Sequence, residues 1–161
     1  PMIDLTKELQ ISNSYYQSQH CNEQWRSFLQ VFVQEIYQTA GEQDACAFLR
    51  HMGERLAHLY PVALYDRIED LENSMNTIFA GLNWGWVKIE VHDLSLVFYH
   101  GAFPLPSFEK PQVKNEAKLF SALLEGLYST WMVALGGKPD IVVQTQKAEP
   151  GLAFELIYTK P

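Results

Sequence analysis

The chain has 161 residues, 47% of them apolar and 19% charged, a balance that suits one folded domain and excludes disorder. Twelve Lys and Arg against 19 Asp and Glu leave a net charge of −7, which argues against nucleic-acid and anionic-membrane binding. No stretch reads as a membrane span, and no basic region leads into an apolar run near the start, so neither a transmembrane segment nor a secretory signal is expected.

Residues 1–20 show no clear period and read as a flexible arm, with Pro1 ahead of Met2 resembling the scar of a cleaved tag. Residues 21–161 then form a single α+β domain. Asn22 can cap a first helix running to Thr39, with Trp25, Phe28, Leu29, Phe32 and Ile36 on one face. Thr39 and Glu42 have capping-box spacing for a second helix, which carries Ala45, Phe48, Leu49, Met52, Leu56 and Leu59. Pro61 separates it from a third, striped by Leu64, Ile68, Leu71, Met75, Ile78 and Leu82. Asp66, Arg67, Glu69, Asp70 and Glu72 fall on that helix's wet side.

The period then shortens to two. Val87, Ile89 and Val91 alternate with Trp86, Lys88 and Glu90, and Leu94, Leu96 and Phe98 continue beyond a turn at His92-Asp93. A loop with Pro104, Pro106 and Pro111 is long enough to suggest a role in contacts or assembly. A fourth helix over 115–135 carries Glu125 as its only charge after Lys118, and Gly136-Gly137 stops it. Phe120, Leu123, Leu124, Leu127, Tyr128, Trp131 and Met132 go most of the way round it. Either the rest of the domain wraps this helix or a second subunit covers part of it. Gly126 in its interior costs about 1 kcal/mol unless another helix approaches closely. Segments 141–147 and 152–158 form a second hairpin about Glu149-Pro150-Gly151. The expected fold is α+β: three N-terminal helices, a β-hairpin, a long apolar helix and a second hairpin, with the strands in a small antiparallel sheet.

Catalytic and metal-binding patterns are missing. His51 and His58 lie two turns apart, about 10.5 Å along a helix, too far to share a metal ion. Gly136-Gly137-Lys138 is followed by Pro139, which breaks the phosphate-loop pattern, and no nucleophile elbow occurs. Glu69, Asp70 and Glu72 read as a solvated face, and an enzyme using Glu125 or Asp70 as acid lacks a visible companion residue. Glu125 reads as a carboxylate satisfied by a partner or held at an interface. No cofactor is expected. The two cysteines, Cys21 and Cys46, read as reduced thiols, with a single Cys21–Cys46 bridge or a reactive Cys as the alternatives. Together with the absent signal they point to the cytoplasm, or alternatively the periplasm.

Nine Phe, eight Tyr and four Trp make up 13% of the chain. Most sit on expected core faces, but Tyr15, Tyr16, Tyr60, Tyr99, Phe103 and Phe108 do not, and such rings suit half-wet contacts with a partner or a sugar. Asn83-Trp84-Gly85-Trp86-Val87-Lys88-Ile89 and Leu124-Glu125-Gly126-Leu127-Tyr128, with Trp131 one turn on, form two blocks. In these blocks, and in the helices before them, the stretch from 25 to 158 resembles the cellulose synthase operon protein D family, small accessory subunits of bacterial cellulose synthase. The resemblance implies a non-catalytic protein forming a ring-like octamer of dimers, with passages beside the N-terminal segments. It also implies a role in guiding β-1,4-glucan chains or arraying synthase complexes, and, in some bacteria, a proline-rich partner. Read from the residues alone, Asn83 can take a left-handed conformation at a helix end, and Gly85 can relieve crowding between Trp84 and Trp86. Leu124, Glu125, Gly126, Leu127, Tyr128 and Trp131 read as core and subunit interface. A stand-alone glucan-binding module, using Tyr15 and Tyr16, is the competing reading.

Overall fold

Alternation along two neighbouring strands directs Val87, Ile89, Leu96, Phe98 and His100 to one face, and that face is buried. The structure, a computed structural model, describes residues 22–107 and 113–159 together with Leu9 and Ser12. Those residues form α1 (Glu23–Ala40), α2 (Glu42–Leu59), α3 (Ile68–Leu82), β1 (Trp86–Val91), β2 (Ser95–Gly101), α4 (Val113–Ala134), β3 (Gln144–Lys147) and β4 (Phe154–Thr159). The sheet has the order β1-β2-β4-β3 and is antiparallel throughout. Trp86 pairs with Gly101, His100 with Phe154, and Thr145 with Leu156. This is the expected α+β arrangement, its two hairpins joined through the β2–β4 pairing.

Helix α4 is the central element. One side packs on α2, and the other lies on the inner face of the sheet, where the Phe98 and Tyr128 rings stack 4.7 Å apart. Phe79 of α3 reaches Tyr128 and Trp131 at 6.0 and 5.7 Å. The chain's own elements therefore enclose the apolar helix: Leu124, Leu127, Tyr128 and Trp131 are all at most 2% exposed. Cover for these four residues is supplied within the chain, while Val133, near the end of the helix, is 38% exposed. Composition showed that the helix needed cover on nearly all sides; the sheet and α2 supply it from opposite sides.

The approach of α2 to α4 depends on two glycines. A Cβ on Gly126 would lie 1.9 Å from the Arg50 carbonyl oxygen, and one on Gly53 would lie 1.9 Å from that of Leu123. Backbone thus meets backbone in both directions. The same closeness selects small residues for the α2 face: Ala45, Cys46, Gly53 and Ala57 are buried with Leu49. Phe48 and Leu59, expected on the core face, are instead 46% and 71% exposed. Trp25 and Phe28 are likewise exposed, because α1 lies at the periphery and Val33 is its only buried residue.

Three local expectations differ. The capping box at Thr39 is not formed: Thr39 lies within α1, and Gly41 (φ 82°) caps α2 without a side-chain bond. Glu42 instead pairs with Lys118 of α4 and accepts the Tyr37 hydroxyl. Helix α3 begins at Ile68 rather than Leu64, which is exposed. The connector before it is not helical; the Trp131 indole N–H holds it by donating to the Tyr60 carbonyl at 2.8 Å. Phe103, expected off the core, is buried, because the chain turns inward at Ala102 (φ 55°) and sets Phe103 against Trp84, Phe120 and Phe154. The suspected contact loop is thus core as far as Ser107; Phe108 and Pro111 lie outside the described residues, as do Tyr15, Tyr16 and Cys21. Strands β3 and β4 are shorter than the predicted segments.

Gly126→Ala separates two opposing effects. Helix propensity alone would stabilise the variant by about 1 kcal/mol, whereas overpacking against Arg50 costs about 1–3 kcal/mol. Urea unfolding should show a net loss of up to about 2 kcal/mol; a variant about 1 kcal/mol more stable than the wild type would mean that the helices do not approach closely.

Candidate functional site

The two sequence blocks meet around a buried histidine. Asn83 ends α3 in the left-handed region (φ 55°, ψ 41°), and the Trp84 N–H donates back to the Phe79 carbonyl at 2.9 Å. Gly85 has φ 80°, and a Cβ there would lie 1.9 Å from the Gly101 carbonyl oxygen, so a side chain is excluded on both counts. Trp86 is 45% exposed and covers Gly101 with its indole ring.

His100, on β2, links this turn to α4. Its Nε2 lies 2.6 Å from the Trp84 carbonyl, and its Nδ1 lies 2.7 Å from the Tyr128 hydroxyl. A carbonyl only accepts, so Nε2 carries the proton and Nδ1 accepts from Tyr128. Phe79 packs edge-on against the imidazole at 4.5 Å. Burial lowers the His100 pKa from 6.5 to about 4 and raises that of Tyr128 well above its ordinary value. His100 is 1% exposed, so solvent has almost no access to it; the arrangement locks the turn, the sheet and the helix together. The sequence reading missed this residue, although its position two beyond Phe98 on the buried face was a visible signal.

Acidic and amide side chains close the sheet edges. On α3, Asn76 accepts the Val87 N–H at 2.7 Å and donates to the Val87 carbonyl at 2.9 Å, while Glu72 accepts the Ile89 N–H at 2.8 Å. Glu72 is thus not a free member of the wet face. On α4, Glu125 accepts the Thr145 N–H at 2.8 Å, and Ser129 accepts the Val143 N–H at 2.7 Å. The other Glu125 oxygen takes the Arg50 guanidinium at 3.0 Å. In both places helix residues four apart serve residues two apart in extended chain, Val143 lying just before β3. The rises agree, at about 6 Å for four helical residues and about 6.7 Å for two strand residues.

Asp70, by contrast, is exposed on α3. Among the described residues no group of three or more His, Cys, Asp or Glu could hold a metal ion, and no helix is long and apolar enough to cross a membrane.

What these observations define is a small α+β domain whose central polar groups join its helices to its sheet. The family of cellulose synthase D subunits matches residues 11–159, and the chain belongs to that family. It is similar to cellulose synthase operon protein D of Komagataeibacter xylinus, 29% identical over 114 residues that span 68% of this chain and 70% of that protein. The protein of the same name from Komagataeibacter sucrofermentans matches with the same identity and coverage. Membership places the chain in bacterial cellulose synthesis.

Two measurements check this site. Asn76→Ala leaves the Val87 N–H and carbonyl without their partner and should lower stability by about 1–3 kcal/mol in denaturant unfolding. For His100 the folded pKa lies below the unfolded one, so the unfolded chain takes up the proton first as pH falls. Stability is unaffected above pH 6.5 and declines as pH drops from 6.5 towards 4, by about 3 kcal/mol in all. Melting curves across that range should show the decline, and His100→Gln should flatten it.

Proposed function

We propose that the chain is a non-catalytic accessory subunit that assembles with copies of itself into a ring, an octamer built from dimers. The ring organises cellulose synthase complexes, or guides β-1,4-glucan chains, so that cellulose emerges as ordered ribbons. The observation that carries this reading is an uncovered aromatic face on α1 and α2. Trp25, Phe28, Val31 and Phe48 are 55%, 58%, 57% and 46% exposed, and Phe32 joins the rings at spacings of 6.3 and 6.4 Å. A contiguous apolar patch of this kind is the usual mark of a protein contact. The side-chain caps on β1 and β3 oppose association of copies through the sheet edges. Closed symmetry then limits the assembly to a finite ring. Holding several synthases or glucan chains in register lowers the entropic cost of their lateral association. The cytoplasm is the proposed location, and a proline-rich accessory protein is a further proposed partner.

Light scattering at micromolar concentration tests this. The wild type should have a mass near eight times 18.5 kDa. Changing Trp25 and Phe28 together to Ser should lower that mass without altering the circular dichroism. Trp131→Ala should lower the melting temperature and leave the mass unchanged, since Trp131 is internal. A stable wild-type monomer would overturn the assembly. If that monomer bound cello-oligosaccharides, it would be a stand-alone glucan-binding module instead.

A further inference from the structure

A groove of about 510 Å³ lies between α2, the N-terminal half of α4 and the β3–β4 turn. Volumes of this size suit small organic ligands. Three cations converge on it, Arg50, Lys114 and Lys118, although the whole chain has a net charge of −7. Glu125 and Glu149 are the carboxylates in its lining.

The pairing of these groups leaves donors unused. Arg50 directs Nε and Nη2 at a single oxygen of Glu125, at 3.3 and 3.0 Å, and its side chain is 43% exposed. A guanidinium carries five N–H donors, so some remain for a ligand. Lys118 is paired with Glu42 but is more than half exposed. Lys114 has no ion-pair partner among the described residues. Thr145, whose N–H is taken by Glu125, also lines the groove. Ala122, Ala148 and Pro150 supply apolar surface beside these polar groups.

We propose that this groove binds a small oxyanion ligand, a phosphate or a carboxylate carried on an apolar or neutral body. The anionic group sits between Lys114, Lys118 and the free edge of the Arg50 guanidinium. Glu125 is neutralised by Arg50 and capped by the Thr145 N–H, so it does not repel the ligand strongly. Glu149, on the rim, opposes it. None of the exposed residues of the aromatic face, Trp25, Phe28, Val31 and Phe48, lines the groove, so ligand binding can be tested apart from ring assembly.

Calorimetric titration of the full chain with pyrophosphate and, separately, with citrate tests the proposal and distinguishes phosphate from carboxylate. Sodium chloride at matched ionic strength is the control. The expected result is saturable binding of at least one probe. Lys114→Gln should weaken it at least about fivefold, and Glu149→Gln should tighten it about twofold or more. Lys88→Gln, on the open sheet face, should leave it unchanged. No saturable heat up to about 10 mM of either probe would overturn the proposal. Equal affinities in the Lys114 and Lys88 variants would also overturn it, by showing general surface attraction.

Discussion

A four-stranded antiparallel sheet in a chain of this size has two edges, and each exposes backbone donors that must be paired or hydrated. Here helix side chains at i and i+4 meet those donors. Glu72 and Asn76 serve β1, Glu125 serves β3, and Ser129 serves Val143 just before it. The match works only if each helix runs alongside its strand, because only then do four helical residues and two strand residues span similar lengths. Much of the architecture follows from it. Helix α3 lies along one edge, and α4 is held against the other while covering the inner face. The glycine pair Gly53 and Gly126 then lets α2 close over α4 from the opposite side.

The buried link from the Trp84 carbonyl through His100 to the Tyr128 hydroxyl gives the two sequence blocks a common structural purpose. The first block turns the chain from α3 into β1, and the second lies on α4. The histidine between them sets the height of one against the other. Its neutral form suits both partners at once, since one nitrogen donates and the other accepts. In a member of this cellulose synthase family, such a link yields a stiff domain, which suits the geometric role proposed for it.

The surfaces divide accordingly. The core is complete within the chain, and α4, despite its apolar composition, takes no part in the proposed contacts between copies. Those are assigned to the peripheral α1, where only Val33 is fully buried and the aromatic rings stay uncovered. The cationic groove on the α2–α4 side uses other residues than the aromatic face.

Hydropathy periods determined the α+β class and the order and approximate positions of α1–α4 and β1–β4, because the change from period 3.6 to period 2 is local. The left-handed turn at Asn83 and the stop after α4 were legible for the same reason: they depend on residue chemistry over a few positions. The inward face of α2 was legible in part: Ala45 and Leu49 are buried, and Met52 and Leu56 pack against the core. Large apolar side chains pointed to Phe48 and Leu59, but close helix contact selected Gly53 and Ala57 instead. The cover of α4 was also beyond local reading, since composition states how much apolar surface needs burying and not which chain buries it. Glu72 looked solvated and His100 went unmarked, because their partners lie 17 and 28 residues away in the chain. Pairings over such separations are made by packing, and only the tertiary structure decided them.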